Sequence, residues 1–337
     1  MKKDIKHFIG IDVSKLTFDA MLVNDGQPTE PQHQIFENKE KDVKKMLQWL
    51  VSQKVNLAEA VFCMEYTGLY SHVVAEALVK NHCLVWLEMP VVIIRSMGLQ
   101  RGKNDKTDAL KIALFAYKNR ENIKVWTPSR EEIILMKDLL SLRERLVKMI
   151  TGLNTPMKEL KDVGQKKRSG HLRLLCKQSL IAIKTDITRI EKELDDLVKN
   201  DIRLSELFGL LTSIPGIGKV TAWYLIVTTN EFISFKSAKK LACNVGVVPF
   251  EHQSGTSVRG RSRVSKMANK QLKNLLHLGA LSLIKKDNEF KLYYDRKVGE
   301  GKNKMLVLNS IRNKLVHRVM AVVNRGAPYQ VNYKYVA

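Results

Sequence analysis

The chain is short of cysteine, of long apolar runs and of acid, and each shortage removes a class of protein. Its four cysteines, Cys63, Cys83, Cys176 and Cys243, stand far apart with no paired spacing, which excludes a disulfide framework and a zinc ribbon and leaves reduced core thiols. No uninterrupted apolar stretch approaches the roughly 18 residues that a spanning helix needs. The opening Met1-Lys2-Lys3-Asp4-Ile5-Lys6 also lacks the apolar core of a secretory signal, so the expectation is a cytoplasmic protein with no membrane partner. Acid is scarce relative to base: 34 Asp and Glu stand against 57 Lys and Arg, a formal charge of +23. Such a surplus excludes a polycationic partner and points to a polyanion.

The surplus is unevenly spread. Residues 1–128 carry 18 basic against 15 acidic side chains (+3), which leaves 39 against 19 (+20) for residues 129–337. At 337 residues the chain is long enough for about two domains, and 45% hydrophobic content is enough for their cores. The near-neutral part is therefore the candidate for chemistry, and the remainder for gripping nucleic acid.

Within the near-neutral part, four carboxylates stand out. Asp12 lies in the apolar run Phe8-Ile9-Gly10-Ile11-Asp12-Val13, which reads as a buried strand, and Thr17–Val23 reads as a second. Glu65 closes another such run, Ala60–Met64. Asp105 and Asp108 are three apart where a helical pattern begins (Ala109, Leu110, Ile112, Ala113, Leu114), so they share a face. Gathered together, such acids repel one another unless hard cations neutralise them, and Mg²⁺ prefers oxygen ligands. Two ions about 3.5 to 4 Å apart would clamp the attacking and leaving oxygens of a phosphoryl transfer. Each acid also has a plain alternative: Asp108 as a first-turn helix charge, Asp105 as an N-cap, Glu65 as a solvated strand end and Asp12 as a turn residue. Asp12 argues hardest for a function, because a charge set against Phe8, Ile9, Ile11 and Val13 needs a reason.

Helical patterns at Lys41–Val51, Tyr70–Lys80 and Lys106–Tyr117, with a strand at Leu84–Leu87, predict a mixed α/β sheet with helices packed on it. Thr127-Pro128-Ser129 breaks the pattern. Beyond it, Leu135, Leu139, Leu142, Leu146 and Met149, then Leu172 through Leu197, recur at three- and four-residue steps. Two long amphipathic helices joined by a basic turn, Gly164–Gly170, are expected, as a spacer hairpin.

Two basic segments follow. Ser213-Ile214-Pro215-Gly216-Ile217-Gly218-Lys219 before a helix resembles the hairpin of helix-hairpin-helix modules; Gly216, Gly218 and Lys219 would offer backbone N–H groups and a charge to a phosphate, unless the segment is only a tight connector. In 246–266, Arg259, Arg261, Arg263 and Lys266 alternate with small residues and read as a solvated phosphate-binding loop. Ser254 inside it, two residues beyond His252, looks by spacing alone like an ordinary turn serine.

Taken in order, Ile9-Gly10-Ile11-Asp12-Val13-Ser14-Lys15, Glu65-Tyr66-Thr67-Gly68-Leu69-Tyr70, Lys103-Asn104-Asp105-Lys106-Thr107-Asp108-Ala109, Ile214-Pro215-Gly216-Ile217-Gly218, Gly246-Val247-Val248-Pro249, and Gln253-Ser254-Gly255 with the Arg/Lys run and Ala268-Asn269-Lys270-Gln271-Leu272 resemble the DEDD transposases of insertion sequences, the IS-one-ten group. The resemblance covers nearly the whole chain. It implies a RuvC-like domain of RNase H fold over 1–128 with Asp12, Glu65, Asp105 and Asp108 as catalytic Mg²⁺ ligands, a coiled-coil hairpin over 129–204, and a mainly helical transposase domain over 205–337. In that last domain the family's catalytic serine matches Ser254, forming a phosphoserine with cut DNA. It further implies donor and target DNA as substrates, a structured noncoding guide, the bridge RNA, a homodimer assembling to a tetramer, and a bacterial or archaeal host, with the protein on the nucleoid when active. Asn104 stands where many relatives carry Thr, and Ser257, Ser262 and Ser265 lie close enough to Ser254 for an alignment slip to rename the nucleophile.

Three other classes are weighed against it. Gly10-Ile11-Asp12-Val13-Ser14 also opens actin-like sugar kinases, but a second Gly-rich phosphate loop is lacking. A hydrolytic nuclease of the junction-resolvase type would use the four acids and give Ser254 no role. Arg312, His317 and Arg318 with Tyr333 or Tyr335 suggest a tyrosine recombinase, although Val307–Val323 reads as a basic final helix that these residues decorate.

Overall fold

The computed structural model describes residues 4–96, 104–254, 258–265 and 267–330, without the side chains of 27–29, 252, 254, 258, 259 and 261. It divides into two compact units, Met1–Pro128 and Ser129–Ala337.

The first unit is a five-stranded sheet. Strands β1 (His7–Val13), β2 (Thr17–Asn24) and β3 (Gln27–Glu37) form an antiparallel meander, and β4 (Ala60–Glu65) and β5 (Leu84–Glu88) add parallel strands on the other side of β1, giving the order β3-β2-β1-β4-β5. Parallel neighbours need crossovers, supplied by helices α1 (Glu40–Ser52) and α2 (Leu69–Lys80). The side-chain alternation of strands then sorts the sheet into two faces. Ile9, Ile11, Phe18, Ala20, Leu22, Phe62 and Met64 pack with Val43, Met46, Leu50, Val74 and Leu78 of α1 and α2. Phe8, Met21, Val23, Val61 and Cys63 pack instead with Ile93 of α3 (Pro90–Ser96) and with Ala109, Ile112, Ala113, Phe115 and Ala116 of α4 (Asp105–Lys118). Helix α3, which opens on Pro90 just beyond the end of β5, was not expected; proline is tolerated there because a first helical residue needs no N–H partner.

The second unit is almost wholly helical: α5 (Glu131–Asp162), α6 (Lys166–Leu175), α7 (Lys177–Asn200), α8 (Ile202–Thr212), α9 (Lys219–Thr229), α10 (Ala238–Val245), α11 (Lys270–Leu283), α12 (Glu289–Gly299) and α13 (Lys304–Arg325). One core unites all of them except α6, from Ile133, Met136 and Leu140 of α5 through Leu194 of α7 and Trp223 of α9 to Ile311 and Leu315 of α13. Arg143 of α5 is paired with Glu191 of α7 at 2.7 Å. The expected turn Gly164–Gly170 is shorter than its sequence suggests, because helix α6 starts at Lys166; Gly164 alone takes the left-handed φ of +82°. The Ser169 hydroxyl donates to the Met157 carbonyl at 2.6 Å and ties α6 back to α5.

Segment 246–266, expected as a loop, contains a hairpin instead: β6 (Pro249–Ser254) pairs antiparallel with β7 (Val258–Val264). The arginines two apart that suggest a phosphate loop have the strand period as well, and Val258 and Val264 at the ends supply β-branched residues.

Candidate active site

Positions 12 and 65 fall on the α4 face of the sheet, because Asp12 is in phase with Phe8 and Glu65 with Val61 and Cys63. The parallel register pairs Ile11 with Met64, so one further step sets Asp12 on β1 beside Glu65 on β4. Helix α4 then lies unusually deep on β1, and Gly10 is the reason. A Cβ at Gly10 would lie 2.2 Å from the Ala109 carbonyl oxygen and 2.2 Å from the Ala113 nitrogen. Only a residue without a side chain fits there. Main chain against main chain brings the first turn of α4, with Asp105 and Asp108, over the end of β1. Asn104 caps that turn, its side chain accepting from the Lys106 N–H at 3.1 Å. Asp105 is thus the first residue of the helix, not its cap.

The acids act on one another. Asp12, half-buried, is pushed up to about 6 by burial first, then by Asp108, Asp105 and Asp19, against one backbone hydrogen bond from Val13. Burial also raises Glu65, followed by Asp12 and Asp108, while Lys111 opposes the rise. Lys111 sits on Asp108 at 2.5 Å and supplies one compensating charge. Asp105 is exposed. Among the described residues no three side chains converge closely enough to cage a metal ion. The mutual electrostatics and that spacing agree once the reach of charge is considered: repulsion is felt across distances at which no single ion could be shared. A set of oxygen donors, like-charged and partly withdrawn from water, fits a hard divalent cation.

Three neighbours were not anticipated. Asp19 pairs with Asp12 across β1 and β2, is buried, and holds His33 at 2.6 Å. Glu88 pairs with Glu65 across β4 and β5, and its carboxylate accepts from Lys124 at 2.6 Å, from Trp86 at 3.3 Å and from the Met89 N–H at 3.1 Å. Glu88 is thereby fully engaged as a structural acid. A signal existed for both, since Asp19 interrupts an apolar strand and Glu88 closes one just as Glu65 does. The third, Lys111, lies one turn beyond Asp108.

In the second unit, Gly216 has φ +89° and meets α11 at close range: a Cβ there would come within 2.9 Å of Leu283 and 3.3 Å of the Gly279 carbonyl. Gly279 mirrors it, with 2.3 Å to the Gly216 carbonyl. This glycine is needed for packing. Gly218, in contrast, is open and forms the N-cap of α9. Lys219 leans on Asp195 of α7 at 3.2 Å and over the Trp223 ring at 5.1 Å. Ser254 is the last residue of β6, paired with Val258; Arg259 pairs with Gln253 and exposed Arg263 with Phe250, while Arg261 lies between them on β7. Lys266, Tyr333 and Tyr335 lie outside the described residues. Arg318, weighed with them, is engaged by Glu289 at 2.7 Å and by the Tyr329 hydroxyl at 2.8 Å.

An acid cluster on a mixed sheet, joined in sequence to a helical unit that holds nearly all the positive surplus, is the make-up of an enzyme acting on nucleic acid. Residues 9–161 match the DEDD transposase model of the IS110 group, and residues 209–295 match the model described as transposase, IS116/IS110/IS902 family. The chain belongs to this family of insertion-sequence transposases, enzymes of DNA strand cleavage and joining. It is 28% identical over 328 residues to a pilin gene-inverting protein of Moraxella bovis, covering 96% of this chain and 98% of that one. An insertion element IS110 protein of Streptomyces coelicolor is 30% identical over 152 residues, 45% of this chain and 36% of the relative. The transposase of insertion element IS1111A from Coxiella burnetii is 26% identical over 208 residues, 56% of each. No helix among the described residues is long and apolar enough to cross a membrane.

Proposed function

We propose that the chain is an RNA-guided DNA recombinase that cuts and rejoins donor and target DNA through a phosphoserine at Ser254. The observation that carries the reading is half-buried Asp12, held among Glu65, Asp105 and Asp108 with less positive charge than negative. The strand order, with its antiparallel meander and two parallel strands, supports a RuvC-like RNase H fold for 1–128. The packed α5 and α7 support a coiled-coil connector over 129–204, with the transposase domain over 205–337.

Bound there, two Mg²⁺ ions would neutralise the four acids and polarise the phosphodiester. The chain's own part begins with Ser254. Its hydroxyl oxygen attacks phosphorus, the bond to a deoxyribose oxygen breaks, and that oxygen leaves with a proton as a free hydroxyl. The phosphoserine keeps a phosphoester bond in reserve, so attack by another strand's hydroxyl rejoins DNA and releases the serine. A surplus of +20 over residues 129–337 suits holding DNA and a bridge RNA by backbone and shape while base pairing selects the sites. Because Ser254 and the acids belong to separate units, a site shared between protomers of a dimer or tetramer is consistent with the sequence.

The full-length match to a pilin gene-inverting protein favours one second reading, in which the same cutting and joining inverts a segment between two sites. Both readings share a test: purified protein, element-end RNA, Mg²⁺ and labelled donor DNA, resolved under denaturing conditions. A protein-linked band lost in Ser254→Ala but kept in Ser257→Ala supports the serine mechanism. Free cut ends with no adduct would replace it with a hydrolytic nuclease.

A further inference from the structure

At the foot of the β6–β7 hairpin lies a group of basic side chains with no counter-charge among the described residues. Arg312 on α13 is buried, 8% exposed, and its Nε has no hydrogen-bond partner. Lys273 and His277, one turn apart on α11, lie close enough that Arg312 lowers both of them, after burial itself. Arg312 is lowered by burial, with no acid acting on it. The carbonyl oxygens of the Asn309 and Asn313 side chains, on the same stretch of α13, are also buried and unpartnered, as is His277 Nδ1. Among the described residues no acid faces Arg312. Residues 1–3, 97–103, 255–257, 266 and 331–337 contain neither Asp nor Glu.

A buried guanidinium left without a partner costs several kcal/mol in general, so its persistence calls for a compensating anion. The location says what kind. Asn309 donates to the Val247 carbonyl at 2.8 Å, and a Cβ at Gly246 would lie 3.8 Å from Lys273 Nζ, which puts the group directly before Pro249, where β6 begins. Arginine with lysine suits a phosphate, the guanidinium reaching two oxygens and the ammonium a third.

We propose that Arg312, Lys273 and His277 form a binding site for one backbone phosphodiester of a bound nucleic-acid strand. Ser254 stands five residues along β6 from Pro249, about 17 Å at strand rise, so the phosphate held here is not the one it attacks. The site anchors the strand away from the cut. It rests on the nucleic-acid part of the function proposed above and not on Ser254: if the adduct assay failed, this site would stand.

Binding of the full-length protein to labelled DNA and RNA oligonucleotides, measured against salt, tests it. Arg312→Met should weaken binding about 5- to 10-fold and reduce the slope of log K against log salt by about 1. Arg312→Lys should recover most of both. Thermal unfolding supplies the readout that separates binding from folding: Arg312→Met should melt no lower than the parent without nucleic acid, since it removes an unpaired buried charge. Loss confined to the DNA arm assigns the phosphate to DNA, loss confined to the RNA arm to the guide, and loss in both to a channel they share. Unchanged affinity and slope in both arms would overturn the site, even if inorganic phosphate raised the melting temperature. Should Arg312→Met fail to fold, Lys273→Met carries the same expectations at the more exposed position.

Discussion

Asp12 should cost the metal-free protein stability while being indispensable to its chemistry, and Asp12→Asn separates the two. In the folded chain its carboxyl is pushed from 3.8 up to about 6. The folded state therefore holds that proton more tightly than the unfolded state does. Below about pH 4 both states are protonated and nothing is lost; between 4 and 6 stability falls as pH rises, and above 6 the whole penalty is present. A shift of about two units is worth roughly 3 kcal/mol, and solvent screening of a half-exposed group reduces this to about 1 kcal/mol. Asp12→Asn, measured by calorimetry at pH 7.5 with EDTA, should raise the melting temperature of the first unit by about 3 to 5 °C. The pH 4 to 6 slope should flatten in the variant. With Mg²⁺ at ten times its dissociation constant the parent should gain about 1.4 kcal/mol, and Asp12→Asn much less. A variant that melts lower than the parent in EDTA, or an equal Mg²⁺ gain in both, would refute the idea that Asp12 is held against its own charge for an ion.

Other perturbations read out different links. Gly10→Ala should cost about 1 to 3 kcal/mol through overpacking against the α4 main chain and abolish strand cleavage, checked by urea unfolding and the adduct assay. Glu231, buried, receives Arg130 at 2.8 Å and Arg203 at 3.0 Å, so Glu231→Gln should cost about 1 to 3 kcal/mol in denaturant melts, little changed by salt. Lys219→Ala should alter nucleic-acid affinity less than about twofold, because Asp195 and Trp223 already engage the ammonium; a salt slope reduced by about 1 would restore the phosphate-contact role.

Most helices and strands of the first unit, α3 and β3 apart, were legible because each carries an apolar run or a helical period. Tyr70–Lys80 was expected as a helix and Leu69–Lys80 is one. The face on which Asp12 and Glu65 lie follows from strand alternation alone. What sequence could not reveal was depth: nothing in Ile9-Gly10-Ile11 says that a helix ninety-odd residues later will press its main chain against that glycine. The hairpin β6–β7 was missed because a run of arginines dominates its composition and hides its period of two. Helix α6 was missed since glycines at 164 and 170 suggested a turn, although only the first takes a left-handed φ. Lys219 looked free in sequence, and its acidic partners sit on a different helix. Lone pairings of this kind between distant elements leave no local trace.

The contact at Gly10 is a hard stop. Side chains can shuffle rotamers to absorb a lost or added methyl, but two stretches of backbone already touching cannot move closer, and the sheet behind cannot yield. The separation of Asp12 from Asp108 is thus set by atoms common to every amino acid. Residues around them, such as Ile112, Phe115 and Met21, can be exchanged over evolutionary time without retuning the acids, provided that position 10 stays bare.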